Sequence, residues 1–496
     1  FLIMLELGRT RKIAVLGASG SIGKNALDVI ETSNGKLEAV LLSVNTQTNI
    51  LAQQLIKINE KIKSSIKLNR KSNNPNNSNN SNNANSENLN DSNNLNLDNQ
   101  SDSPHLPQWV VITEPNADRS PIENLPDEIK SQIKIFYGYD SLSQLVREPE
   151  IDIVLSAVSG CAGLVATWSA LETGKIVALA NKESLVSGGS MIKELALKNH
   201  GNLIPVDSEH SAIWQALQSW NMKHYQNKLI NPAIKNNSSS IYSQNSQSDS
   251  QSAQLNSQLD SQSAEYSDQN ILSGCLNVID VITLTASGGP FRTWSLDELK
   301  KVTVDDALNH PTWKMGAKIT IDSATMMNKA FEIIEAKYLF DLDPKKIKTL
   351  IHPQSIIHSM VQFIDGSTIA QLSCPDMRIP ISLALHYPYR FESSPNPIDW
   401  TNKISLDFYP PDFERFPALS LGYIVAEKGG TTGAVVNAAN ETAITAFQNG
   451  RLPFLDIVTA CISVLENHNF ENRPTLSRLL EIDAWARKET EKWISQ

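Results

Sequence analysis

Four stretches of this 496-residue chain carry side chains of types and spacing that can do chemistry. The first is Gly17-Ala18-Ser19-Gly20-Ser21-Ile22-Gly23, set between an apolar run and an amphipathic segment. Glycines there let a turn close tightly and bring a pyrophosphate up to the N–H groups of a helix N-terminus. The GxxGxxG spacing directly after a strand-like run reads as a nucleotide site rather than a purely structural turn. The residues after the next apolar run, Ser43-Val44-Asn45-Thr46-Gln47, contain no acid. An acid there would hold the ribose of NAD and repel a 2′-phosphate, so its absence favours NADPH, although no Arg or Lys clamp is present.

The second stretch is Asp207-Ser208-Glu209-His210, after the apolar run Leu203 to Val206. If the chain stays extended, Asp207 and Glu209 point to one side. Two such carboxylates repel unless a cation lies between them, and a hard divalent ion suits them; a solvated loop is the alternative. The third runs from Asp322 to Glu332 and reads as a capped turn entering a helix. Asn328, Lys329 and Glu332 then share a helical face. Ser323, Asn328 and Lys329 can hold a phosphate or hydroxyls, and Glu332 can complete an oxygen-rich metal site, with Glu335 one turn behind. An ordinary solvated helix face remains the other reading. In the fourth stretch, Ser287-Gly288-Gly289 forms a turn that offers backbone N–H groups to an anion. It leads to His310-Pro311-Thr312-Trp313-Lys314-Met315-Gly316. Trp313 stands among Pro, Lys and Gly without apolar periodicity, which suits an exposed flap that closes on a ligand better than a core position.

These residues need a scaffold. Lys12 to Leu16, Leu37 to Val44, Trp109 to Ile112, Ile151 to Leu155, Ile176 to Ala180 and Leu203 to Val206 are short apolar runs that read as strands. Helical spacing over Ser21 to Glu31 and Gly163 to Glu172 alternates with them, the pattern of a doubly wound parallel sheet. A second apolar unit starts at Val278, with further strands near Ile351 and Thr368, and from Phe413 onward only helical patterns occur. Two polar tracts interrupt the chain, Asn69 to Ser103 and Asn236 to Asn270; both lack the apolar surface to offset their ordering entropy and are expected to be disordered insertions.

The whole-chain properties narrow the class. Length suggests two to four domains. A net charge of -10 argues against a generic nucleic-acid binder. The four cysteines are dispersed, without a CxxC pair, so neither a disulfide framework nor a zinc cluster is expected and a reducing compartment fits. No stretch is long and apolar enough to span a bilayer, and the apolar start Phe1 to Leu5 lacks a signal peptide's basic region, so neither membrane nor nucleic acid is an expected partner. Initiation at Met4, or a missing N-terminus, would account for a first residue Phe1.

With the four stretches in this order, the chain closely resembles the 1-deoxy-D-xylulose-5-phosphate reductoisomerase family. Further matching stretches are Ala180-Asn181-Lys182-Glu183-Ser184, Ile351 to Met360, Pro375-Asp376-Met377-Arg378 and Asn437-Ala438-Ala439-Asn440-Glu441. The resemblance covers nearly everything except the polar tracts. It implies a Rossmann-like NADPH-binding domain over 1–206, with an insertion at about 69–104. It further implies an α+β catalytic and dimerisation domain over 207–386, with an insertion at about 230–272 and a flap at about 288–316. A linker at 387–412 and a helical C-terminal domain over 413–496 complete it.

The resemblance also assigns roles. Asp207, Glu209 and Glu332 look like ligands for Mg²⁺ or Mn²⁺. Ser208, Ser287, His310, Ser323, Asn328, Lys329 and Glu332 look like substrate-binding residues. Glu209, Lys182, His310 and Trp313 look like catalytic ones, with Trp313 and Met315 in the flap. Residues 17–23, Asn45, Gln47, Asn181, Lys182, Glu183 and Gly316 look like the NADPH site. The implied reaction turns 1-deoxy-D-xylulose 5-phosphate into 2-C-methyl-D-erythritol 4-phosphate by skeletal rearrangement and reduction. The implied state is a homodimer in a bacterial cytoplasm, or a plastid-type organelle in a eukaryote. Relatives carry a glycine, a basic residue and an asparagine where Asn45-Thr46-Gln47 stands, which bears on the grip on the 2′-phosphate. The rival is an NADP oxidoreductase of similar fold without rearrangement, which would not require the three carboxylates.

Overall fold

The computed structural model describes residues 9–72, 105–158, 160, 162–229, 278–313, 315–392 and 395–496, without side chains at 66–72 and 219–229. Most of both polar tracts therefore lies outside the described residues. The helix Thr48–Ser72, however, runs through the first four residues of the Asn-rich tract, which the sequence had assigned to a disordered insertion.

Among the described residues two compact units emerge, one ending at Leu155 and the other starting at Ser156. In the first, β1 (Arg11–Leu16), β2 (Leu37–Val44), β3 (Trp109–Ile112), β4 (Lys134–Tyr137) and β5 (Ile153–Ser156, whose last residue opens the next unit) follow the expected apolar runs, apart from β4. Its strands are ordered β4-β3-β2-β1-β5, and in the larger unit β6 (Ile176–Leu179) and β7 (Asn202–Pro205) are neighbours. Register is parallel from β1 to β4 and between β6 and β7. Strands β3 and β5 are buried throughout, as expected of a parallel sheet covered on both faces. Strand β4 is the half-exposed edge, and its Lys-Ile-Phe-Tyr sequence gave no continuous apolar run.

In the larger unit, β8 (Ile279–Ala286), β9 (Ile347–Ile351), β10 (Ile357–Phe363) and β11 (Thr368–Leu372) form a mixed sheet of order β11-β10-β8-β9. Pairings are antiparallel except β8 with β9. The helices Ser208–Leu229 and Met327–Phe340 pack on this sheet and carry most of the site. The C-terminal helices Ala418–Lys428, Thr432–Gln448, Asp456–Glu466 and Leu476–Ile494 fall where helical patterns were expected and belong to the same unit. Among the described residues, no helix is long and apolar enough to cross a membrane.

Candidate active site

In the first unit, the glycine loop follows β1 and enters the helix Ser21–Glu31, as expected. Gly17 has φ +81°, a left-handed conformation natural to glycine. A Cβ on Gly23 would lie 2.3 Å from the Gly17 carbonyl oxygen, so the loop can fold onto its helix only with glycine there. Gly17 and Ala18 donate to the Ser43 carbonyl, tying the loop to the end of β2. Gly20 is the N-cap and supplies no side-chain acceptor, which leaves the first helical turn open to an anion. Asn45, Thr46 and Gln47 are exposed beyond the end of β2, with Asn45 accepting from the Thr113 hydroxyl at 3.1 Å. This loop fits a dinucleotide by its close backbone approach and its uncapped helix end.

The larger unit gathers the other candidates. Asp207 and Glu209 do not continue a strand: Asp207 precedes the helix Ser208–Leu229, and Glu209 lies in its first turn. Asp207 behaves as a cap, its carboxylate accepting from Glu209 N at 3.3 Å and its carbonyl from Ser211 N at 2.8 Å. An Asp at this position favours helix initiation over an extended chain. The stretch from Asp322 likewise differs from the expected turn. Asp322 and Ser323 close the helix Ala317–Ala324, and Met326, at φ +63°, breaks the chain before Met327–Phe340 starts. Asn328, Lys329 and Glu332 do share one face of that second helix.

Asp207, Glu209 and Glu332 each offer an oxygen, and these oxygens lie within 4.8 Å of one another. An all-oxygen set of this kind fits a hard divalent ion. The repulsion expected between Asp207 and Glu209 is relieved by two buried lysines. Lys182 Nζ is 2.6 Å from Asp207 and 3.2 Å from Glu332, and donates to Asn328 Oδ1 at 2.9 Å. Lys329 pairs with Glu209 at 2.9 Å and with Glu332. Asn328 Nδ2 donates to Glu332 at 2.5 Å and the Ser208 hydroxyl to Glu209 at 2.5 Å.

The charges shape one another. Burial pulls Lys182 down, but Asp207 and Glu332 outweigh it and leave its pKa well above the ordinary value. Burial, reinforced by Glu209, raises Glu332 despite both lysines. Behind the trio, His210 donates to the Glu332 carbonyl at 3.0 Å, and its other ring nitrogen lies 3.2 Å from Glu335 and 3.6 Å from Asp207. Burial drives the Glu335 carboxyl upward to about 8, and burial pulls His210 down but is outweighed by Glu335 and Asp207, which leave it raised to about 9.

A second group is centred on His310. Its Nδ1 accepts from the backbone N–H groups of Thr312 and Trp313, at 3.1 and 2.9 Å. Its Nε2 is 3.1 Å from the hydroxyls of both Ser287 and Ser323. Burial lowers the His310 pKa, so a neutral ring with the proton on Nε2 fits both sets of partners. The glycine turn brings the serines together: a Cβ on Gly289, at φ +66°, would lie 2.6 Å from the Ser323 carbonyl oxygen. Trp313 is half-buried rather than an exposed flap residue, its ring 6.4 Å from His358. Two short capped helices, Leu296–Leu299 and Val304–Leu308, interrupt the expected flap. Gly316 is exposed at the N-cap of Ala317–Ala324.

Two cofactor candidates are engaged within the protein. The Asn181 side chain accepts from Ser184 N and donates to the Val158 and Gly160 carbonyls, capping the helix Lys182–Lys198. The Glu183 carboxylate meets Lys318 Nζ at 2.5 Å. The sequence reading missed the parts played by His210, His358 and Lys318. Lys318 carried one signal, its i,i+4 spacing to Asp322.

Comparison with known proteins decides the family. Profiles described as 1-deoxy-D-xylulose 5-phosphate reductoisomerase match residues 13–96 and 78–189. Those of its C-terminal domains match 258–340 and 372–489. The enzyme of that name from Rhodopirellula baltica is 39% identical, covering 96% of this chain and 93% of its own. The chain belongs to the 1-deoxy-D-xylulose 5-phosphate reductoisomerase family. The reductoisomerase of Thermodesulfovibrio yellowstonii is 36% identical over 98% of this chain and all of its own. The Zymomonas mobilis reductoisomerase, solved in complex with NADPH, is 32% identical with a TM-score of 0.70, covering 98% of this chain and 99% of that one. A reductoisomerase solved with NADPH, fosmidomycin and magnesium is 29% identical with a TM-score of 0.73, each chain covered to 98%.

Proposed function

We propose that this chain is an NADPH- and divalent-metal-dependent enzyme that isomerises and reduces 1-deoxy-D-xylulose 5-phosphate to 2-C-methyl-D-erythritol 4-phosphate. The observation that carries this reading is the convergence of Asp207, Glu209 and Glu332, threaded by Lys182 and Lys329. Simple hydride transfer needs no such trio, which disfavours an oxidoreductase without rearrangement.

Asp207, Glu209 and Glu332 hold the cation, Mg²⁺ or Mn²⁺. Residues 17–23, with Asn45 and Gln47, hold NADPH. When bound, the cation neutralises charge developing on substrate oxygens and NADPH donates a hydride. The remaining work falls to side chains. Lys182 stays protonated between Asp207 and Glu332, so it orients those carboxylates and offers N–H donors rather than accepting a proton. Ser287, Ser323 and His310 present hydroxyl and imidazole donors to the sugar phosphate, joined by Asn328, Lys329 and Ser208. Trp313, whose backbone is fixed by His310, covers the site and excludes water with Met315.

Residues 207–386 act as the catalytic and dimerising part, and the enzyme works as a homodimer in the cytoplasm, a reading supported by family membership. The test is NADPH oxidation with 1-deoxy-D-xylulose 5-phosphate, with and without Mg²⁺ or Mn²⁺. Turnover should require the sugar phosphate and the cation together. Metal-independent NADPH oxidation would overturn the reading.

A further inference from the structure

Lys318 lies outside the carboxylate trio and outside the His310 group, yet its ammonium touches the chain neighbour of a residue in each. It is 2.5 Å from the Glu183 carboxylate, and Glu183 adjoins Lys182. It is 2.9 Å from the Asp322 carboxylate, and Asp322 adjoins Ser323. It lies 5.2 Å from the centre of the Phe331 ring, and Phe331 adjoins Glu332. The three contacts are on three helices: the first turn of Lys182–Lys198, the last turn of Ala317–Ala324, and the middle of Met327–Phe340.

We propose that Lys318 is a positioning residue for the reaction, a single ammonium that sets the Lys182 end of the cation site and the Ser323 end of the phosphate site against each other. Its partners are held from behind. Asp322 accepts from Asn440 Nδ2 at 2.7 Å through its other oxygen, and Glu441, which also faces Lys318, is neutralised by Arg487 at 2.6 Å. Glu183 and Asp322 are almost fully shielded, with side chains 10% and 2% exposed. Neither carboxylate can turn to water if the ammonium is removed, so the two would repel and move their helices apart. Each helix end would carry its site residue with it, and a displacement of about 1 Å at a positioning group is enough to impair binding and turnover. Lys318 therefore acts through Lys182 and Ser323 without touching the substrate.

This inference rests on the function proposed above, and its test separates the two. Lys318→Met keeps the stem and removes the charge; Lys318→Arg keeps the charge. Each is compared with the wild type for sugar-phosphate KM, normalised to folded protein, and for Mn²⁺ affinity by calorimetry, which needs no turnover. The expected result for Lys318→Met is a rise of about tenfold in KM and a weakening of about tenfold in Mn²⁺ binding, with Lys318→Arg recovering to within about threefold. A purely structural role would lower the folded fraction and leave both constants unmoved. Constants within about twofold of the wild type in Lys318→Met, or an arginine variant no better than the methionine one, would overturn the proposal. Should Lys318→Met fail to fold, Asn440→Ala frees one Asp322 oxygen while leaving both ion pairs; a KM rise of about threefold supports the clamp, and an unchanged KM overturns it. A wild-type protein that binds Mn²⁺ but does not turn over the sugar phosphate would sink the proposed function, while the calorimetry still decides the clamp.

Discussion

Replacing Glu332 by glutamine keeps the shape of the side chain and removes one buried charge. Glu332 is fully buried, and its oxygens receive Lys182 at 3.2 Å, Asn328 at 2.5 Å and Lys329. An amide has one acceptor oxygen, so its NH₂ must face an ammonium or the Asn328 amide. Removing one partner of a buried ion pair costs about 3–5 kcal/mol. Here the second carboxylates of each lysine, Asp207 and Glu209, absorb part of that, so about 3 kcal/mol is the working figure. That cost falls on the cation-free protein; separately, the cation loses one of three anionic ligands, and truncating one charged partner costs about 2–5 kcal/mol, which at about 1.4 kcal/mol per decade means binding weaker by roughly 10²-fold or more. The assay is NADPH oxidation across a Mn²⁺ titration, paired with NADPH binding followed by fluorescence. Half-saturation should shift by about that factor, and turnover should fall by orders of magnitude. NADPH binding should persist, because the loop at 17–23 shares no side chain with the trio. Near-normal metal-dependent turnover in Glu332→Gln would show that Glu332 is not a ligand and that the convergence with Asp207 and Glu209 is only an ion-pair network.

Trp313→Ala should lower kcat/KM by about tenfold or more while changing stability by no more than about 1 kcal/mol, since the ring is only half-buried; a large fall in melting temperature with normal activity per folded molecule would make Trp313 a core residue. NADPH should be preferred over NADH, but modestly, because Asn45, Thr46 and Gln47 bring neither acid nor base to the ribose; comparable kcat/KM for the two would refute this. The His310 pKa is lowered from 6.5 by burial, so the folded state favours the neutral ring. That contribution to stability is present above pH 6.5 and is lost as pH falls through the lower folded-state value. Protonating Nδ1 also breaks its bonds from Thr312 and Trp313, so sugar-phosphate KM should climb on the acid side, and His310→Asn should flatten that rise; an unchanged profile in the variant would assign the acid limb elsewhere. Deleting 73–99, chosen by composition, should leave turnover largely intact, and a folded but inactive deletion would refute the reading of that tract.

The sheet was legible because buried parallel strands are apolar on both faces, so β1, β2, β3 and β6 announce themselves as short runs closed by glycine or polar residues. Strand β4 was not, because Lys134-Ile135-Phe136-Tyr137 is half-exposed at an edge. The identities of the metal-site candidates were legible from residue type, but their geometry was misjudged. Asp207 was taken as the continuation of a strand although an Asp before Ser-Glu-His is also an N-cap signal, and local sequence does not say which wins. Asp322 was taken as a start when it is an end, because Met326 places the helix break four residues later. The neutralising lysines were the least legible feature. Lys329 shares a helical face with Glu332, but Lys182 meets the trio only through tertiary packing, and no spacing rule links either lysine to Asp207 or Glu209. Lys318 is only partly legible: its spacing to Asp322 is local, but its contacts with Glu183 and Phe331 cross between helices.

The threading of the trio by two lysines has a consequence for the order in which the site fills. Three carboxylates against two ammonium groups leave the trio and its lysines with one surplus negative charge. A phosphate dianion approaching this pocket meets a like charge. Once a divalent ion has settled, the surplus becomes positive and the same dianion is attracted. On the proposed reading of the trio as the cation site, the lysines leave a surplus small enough for one divalent ion to reverse, so the cation favours admission of the sugar phosphate through the sign of the local potential rather than through any moving part.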